Sequence, residues 1–234
     1  MKRLLVTAAL LALLFAIQGP SALAVDYPTG DSTDQPADVA SAQEVAELAA
    51  SHAWAALLPN RNDAPYAYLY TRYSPQQRSY WCGPAAVQTA LTYYGATPTQ
   101  STIAGRLGTT SLGTAMSKVD DVLRYYTGLW YTYHSVTSVG DFNGHVEWAI
   151  GQKRRPMIVD VRIQAPWGPY RYDHAGHIIC VDGFNWTPCT IRVNDSFDEH
   201  VWQSGGGGTG GPTTYDRGLL FTGVWRHSGH PIVF

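Results

Sequence analysis

Gln76-Gln77-Arg78-Ser79-Tyr80-Trp81-Cys82-Gly83-Pro84-Ala85-Ala86-Val87-Gln88 is the stretch on which the reading of this chain turns. A single cysteine there meets a predicted helix start. Pro84 fits the first helical position, Val87, Leu91 and Tyr94 recur at i, i+4 and i+7, and Gly95 stops the run. At the positive end of a helix a thiol is favoured as thiolate, because the first-turn N–H groups and the helix dipole stabilise negative charge. Thiolate is the nucleophilic form, so the rest of the chain is read for a base, a group to orient it and a donor for an oxyanion.

His177 heads the apolar run His177-Ile178-Ile179-Cys180-Val181, and Asp195 closes Thr190-Ile191-Arg192-Val193-Asn194-Asp195, with turn residues Phe184 to Pro188 between them. In a hairpin the start of one strand faces the end of its partner. The midpoint of 177 and 195 is residue 186, near the turn centre, so His177 and Asp195 are predicted neighbours. His174 is the rival base. An odd interval on a strand sends it and His177 to opposite faces, and His177 is preferred because His174 lies in a Gly-containing approach. Gln76 and Gln77, six and five residues before Cys82, each offer an amide to an oxyanion. Cys180 and Cys189 lie nearly symmetrically about the turn, which favours a cross-strand disulfide over two buried thiols and leaves Cys82 unpaired. Asp173, His174, His177 and Cys180 lack a second pair of ligands and run along a strand, which argues against a metal there. His52, His134, His145, His200, His227 and His230 show no partner pattern.

Outward from this centre, Met1-Lys2-Arg3, the apolar run Leu4 to Ile17 and Ser21-Ala22-Leu23-Ala24 form an export signal over residues 1–24. The run is short for a membrane span and ends in Gln18-Gly19-Pro20, so a secreted protein without a transmembrane span is expected. Residues 25–62 read as a disordered arm followed by a helix over Asp38 to Leu58, with removal as a pro-segment the sharper alternative, and residues 63–234 as the catalytic domain. Without Lys2 and Arg3 the cations number 14 against 18 acids, a net charge of −4, which excludes a nucleic-acid or membrane-surface polycation. Three cysteines are too few for a disulfide scaffold.

Helices are predicted over 101–108, 116–126 and 141–150, and strands over 129–136, 156–163, 177–181, 190–194, 218–225 and 231–234. The glycine-rich run Ser204 to Pro212 lacks the Lys-Ser or Lys-Thr of a nucleotide loop and reads as a flexible surface loop.

At its most informative residues the chain resembles the papain-like cysteine peptidases, and within them the peptidase C39-like family of bacterial secreted and transporter-linked proteins. The resemblance rests on Gln76 through Trp81-Cys82-Gly83-Pro84-Ala85-Ala86, on Tyr93-Tyr94-Gly95, on Thr109 to Thr114, on His174-Ala175-Gly176-His177 and on Val193-Asn194-Asp195-Ser196. It implies an α+β fold, with a helical half bearing the nucleophile packed on an antiparallel sheet bearing His and Asp. It also implies Cys82 as nucleophile, His177 as general base and acid, Asp195 as the orienting group and Gln76 as oxyanion donor, six residues being the usual interval. Position 196 is Ser where the family often has Pro. No cofactor or metal is implied. The expected partner is a peptide or protein substrate, met by a monomer. The same residues suit a cell-wall amidase or an acyl or peptidyl transferase, and a catalytically silent binding protein on the same fold is the non-enzymatic alternative.

Overall fold

Residues 65–234 are described by the structure, a computed structural model. The expected signal over 1–24 and the arm and helix over 25–62 lie outside the described residues. In chain order the elements are β1 (Tyr66–Tyr68), α1 (Cys82–Thr92), α2 (Gln100–Leu107), a 3-10 turn (Met116–Lys118) running into α3 (Val119–Thr127), and β2 (Tyr133–Ser135). There follow α4 (Val139–Val146), continued as a π-helix over Glu147–Gln152, then β3 (Met157–Ile163), β4 (His174–Trp186) and β5 (Cys189–Asp195). The chain closes with α5 (Glu199–Trp202), β6 (Gly211–Asp216), α6 (Arg217–Arg226) and β7 (Pro231–Val233). Among the described residues no helix is long and apolar enough to cross a membrane.

The strands form one antiparallel sheet in the order β2-β7-β3-β4-β5-β6, with β1 added to the far half of β4. Alternation along β3 and β4 divides the core. Ile158, Ile178 and Cys180 join Val87, Leu91, Ile103 and Leu123 of α1, α2 and α3 in one apolar cluster. Val159, Val161, Ile179 and Val181 join Phe142 and Val146 of α4 and Leu220, Phe221 and Val224 of α6 in the other. The molecule is thus α+β, with the cysteine-bearing helix and the long hairpin β4–β5 on facing elements.

Helix ends follow their capping chemistry. Thr99 accepts from the Thr102 N–H at 3.2 Å and Ser138 from the Asp141 N–H at 3.1 Å, while Gly108 and Gly128 close α2 and α3 with φ of +68° and +67°. Helix α1 departs from this pattern. Trp81 at its N-cap makes no side-chain capping bond, and the first turn holds no acidic residue. Cys82, rather than Pro84, is its first residue.

Four local expectations are corrected. Residues 217–226 form α6 rather than a strand, because Asp216 caps the Gly218 and Leu219 N–H groups at 2.8 and 3.1 Å and Leu220, Phe221 and Val224 make one buried face. The predicted strand over 129–136 shrinks to Tyr133–Ser135. Cys180 and Cys189 are free thiols: the hairpin register sets Cys180 opposite Asn194 and Cys189 opposite Trp186, so near-symmetry about the turn does not make them partners. The glycine-rich run is a packed segment rather than a flexible surface loop. A Cβ on Gly206 would stand 2.4 Å from the Glu199 carbonyl oxygen, and one on Gly207 2.1 Å from that of Pro169.

Candidate active site

Strand β4 begins at His174, three residues earlier than expected, and pairs with β3 through a register shift. Val161 faces His177 and Ile163 faces His174, so two steps on β3 match three on β4. This bulge rephases the alternation. His174 and His177 therefore lie near each other, with ring centroids 6.3 Å apart, and not on opposite faces. Their partners separate them.

His177 Nε2 meets Asp195 Oδ1 at 2.7 Å, across the hairpin. The Cys82 sulfur lies close enough to the same imidazole to raise its pKa, and Nδ1, the nitrogen that Asp195 does not engage, has no hydrogen-bond partner among the described residues. Asp160 on β3 accepts the His177 backbone N–H at 3.0 Å and so fixes the strand under the ring. Burial alone lowers the His177 pKa, but the Asp195 carboxylate and then the Cys82 sulfur outweigh it and carry the pKa up to about 10. The ring is thereby held as imidazolium.

Asp195 is itself held in place. Besides His177 it accepts the Phe197 N–H at 3.0 Å on Oδ1 and the Tyr170 hydroxyl on Oδ2. Burial, and then the Asp195 charge, hold the Tyr170 pKa well above its ordinary value, so the phenol stays a donor. Tyr170 and Phe197 also face the imidazole edgewise, at centroid distances of 6.0 and 5.7 Å. Sequence reasoning missed Tyr170, because nothing in the run Pro169-Tyr170-Arg171 marks a phenol whose partner is 25 positions away.

His174 bonds Glu199 at 3.0 Å, and the Glu199 carboxylate also accepts the N–H groups of Arg171 at 2.9 Å, Tyr172 at 3.1 Å and Gly207 at 3.0 Å. Burial opposes the Glu199 charge, yet His174 and these backbone donors hold its pKa below the usual carboxylate value; burial lowers that of His174. Glu199 therefore ties the glycine-rich segment to the stretch that presents Tyr170.

Gln76 is buried and Gln77 exposed. The Gln76 N–H bonds the Ser196 carbonyl at 2.9 Å, next to Asp195, while its side-chain Nε2 donates to the Arg78 and Ser79 carbonyls at 2.8 and 2.9 Å. Both amide hydrogens are committed to the turn that leads into Cys82. A cleft of about 440 Å³ adjoins this loop, lined by Gln76, Gln77, Gln88 and Gln100 among others, but by neither Cys82 nor His177. Gly83 explains the next contact: a Cβ there would meet Thr114 Oγ1 at 2.5 Å, so glycine lets the 109–114 segment press against the helix start.

Cys82, His177 and Asp195 are 0, 1 and 0% exposed. In this conformation the site is closed, and an external carbonyl reaches the sulfur only after it opens.

The model of the Peptidase_C39 like family matches residues 68–206, more than half of the chain, with Gln76, Cys82, Tyr170, His177 and Asp195 inside the match. The chain belongs to the Peptidase_C39 like family. A C39-like peptidase from Bacillus anthracis shares the fold at a TM-score of 0.50 and 10% identity, over 72% of this chain and 96% of its own. Xylellain, a cysteine protease from Xylella fastidiosa, aligns at a TM-score of 0.49 and 10% identity over 91% of this chain and 96% of its own. A double glycine motif protease from an AMS/PCAT transporter, crystallised with its leader peptide, aligns at 0.48 and 14% identity over 72% and 92%. No curated protein sequence matches. As a member of the C39-like family the chain has the papain-like arrangement, with helices on one side and the antiparallel sheet on the other.

Proposed function

We propose that this chain is an exported cysteine peptidase that hydrolyses peptide bonds through Cys82, His177 and Asp195. The observation that carries the reading is the placement of His177, bonded at 2.7 Å to Asp195 on one side and in contact with Cys82 on the other, at the start of an uncapped helix.

The thiolate of Cys82 attacks the amide carbonyl, and the imidazolium of His177 gives its Nδ1 proton to the leaving amine, leaving a thioester on sulfur. His177, now neutral, takes a proton from water; the resulting hydroxide attacks the thioester, and the acid product leaves as the thiolate re-forms. Asp195 keeps the Nε2 proton in place throughout. The first-turn N–H groups of α1 favour charge on the tetrahedral oxygen, and Gln76 is the second donor once its amide releases one of the two carbonyls it holds. No step needs a metal.

The burial of Cys82 favours a second reading, a binding protein on the same fold whose thiol is never presented. Digestion of a peptide library by the wild type beside Cys82→Ala separates them. Cleavage by the wild type that is lost in the variant supports the peptidase; equal product patterns from both defeat it. An added amine acceptor in the same digest, captured in the products, identifies acyl transfer in place of hydrolysis.

A further inference from the structure

Two histidines with no partner pattern in the sequence do have one in the fold. His134 on β2 and His145 on α4 both turn Nε2 to the carboxylate of Asp141, at 2.9 Å from Oδ2 and 3.0 Å from Oδ1. Asp141 and His145 share a helix face one turn apart, and β2 brings His134 alongside. The imidazole centroids are 4.4 Å apart, and the Phe234 ring lies 4.0 Å from that of His145. The ligand atoms of all three side chains fall within 4.8 Å of one another, and each side chain keeps part of its surface in solvent. This cluster sits at the β2 edge of the sheet, with β7 and β3 between it and the strand that carries His177.

We propose that His134, Asp141 and His145 form a binding site for a divalent transition-metal ion of the zinc type. Zinc bound tetrahedrally to nitrogen and oxygen at about 2.0–2.2 Å holds its ligands about 3.3 Å apart, close to the 2.9 and 3.0 Å at which the two Nε2 atoms already meet the carboxylate. Imidazole nitrogens with one carboxylate are a donor set for zinc, nickel, copper or cobalt rather than calcium or magnesium. The carboxylate is already oriented from behind, since Oδ2 accepts the Thr137 N–H at 2.9 Å and hydroxyl at 3.0 Å. The partly exposed position leaves water as the fourth ligand. The ion replaces two hydrogen bonds to one carboxylate by three metal bonds and fastens the short edge strand β2 to α4. This site is independent of the thiol chemistry.

The test uses zinc chloride and the full chain carrying Cys82→Ala, which removes the reactive thiol as a competing ligand. Calorimetry is expected to show one zinc per chain, weakened about tenfold or more in Asp141→Asn and His145→Ala, because each deletes a direct ligand. In ¹⁵N-imidazole spectra of the chain with the cluster intact, saturating zinc is expected to shift the Nε2 resonances of His134 and His145. Those spectra decide the matter even if a variant fails to fold. Unmoved resonances of these two histidines, whether or not zinc binds elsewhere, overturn the site, as does unchanged affinity in a folded His145→Ala protein.

Discussion

Asp195 is the residue whose environment is most completely specified, and it shows how a buried carboxylate is held in place. Its partners are His177, the Phe197 N–H and the Tyr170 hydroxyl, all donors. We predict that Tyr170→Phe leaves Oδ2 short of a donor in a buried site and costs about 1–3 kcal/mol of stability, read from denaturant unfolding. A variant as stable as wild type would show that the phenol is dispensable. For Asp195→Asn we predict a residual rate and an alkaline limb of the activity profile that moves down from about pH 10, because the carboxylate is the largest influence raising the His177 pKa. An unmoved limb would remove Asp195 from the account. Gln76→Ala is expected to cost about 2.7–4 kcal/mol in the barrier if its amide swings to the oxyanion. A change in KM alone, with kcat intact, would instead leave Gln76 as a residue that positions the 78–81 turn.

Among the elements, the glycine-rich segment is the one whose character sequence and structure present most differently. Its glycines are required by close approach, not by flexibility: Gly207 runs under the Pro169 carbonyl and Gly206 against Glu199. We predict that Gly207→Ala destabilises by about 1–3 kcal/mol, the usual range for overpacking, in thermal or urea unfolding; a neutral result would mean that the segment can move aside. The helix carrying Cys82, strand β3 and the β4–β5 hairpin were legible because local signals agreed there: an apolar period, a turn and a stop in glycine. Helix α6 reads as a strand in the sequence because Leu219, Leu220, Phe221, Val224 and Trp225 make a short apolar run broken by glycines, and its cap, Asp216, lies before that run. The relation of His174 to His177 was misread because a bulge is invisible to alternation. The pairings of Tyr170 with Asp195, Glu199 with Gly207 and His134 with Asp141 are tertiary, and no spacing rule reaches them.

At the scale of the whole molecule, buried charges set the response to pH. His177, raised from 6.5 to about 10, contributes stability that is fully present below pH 6.5 and is lost as the pH rises through 10. Glu199, depressed below 4.5, contributes stability that is present above that value and lost as the pH falls; the depressed His174 likewise resists protonation below 6.5. Asp182, raised by burial from 3.8 to about 6, works the opposite way in that interval. We therefore predict that Glu199→Gln flattens the acid side of a plot of urea midpoint against pH and leaves the alkaline side unchanged, whereas an unaltered acid side would contradict the role given to Glu199. Because Cys82 has no exposed surface, we also predict that its alkylation rate reaches a plateau as reagent concentration rises, limited by opening of the cleft. A rate that stays proportional to reagent would mean the thiol is accessible without opening.

The most direct measurement is mass-spectrometric mapping of Cys82, Cys180 and Cys189 after brief alkylation of the folded chain at mildly acidic pH, beside His177→Ala. A thiolate sustained by an imidazolium reacts under those conditions, so Cys82 should be modified ahead of Cys180 and Cys189, and the preference should vanish when the imidazole is removed. A Cys82 that stays unmodified, or that reacts equally fast without His177, would contradict the claim that these two side chains form a working pair.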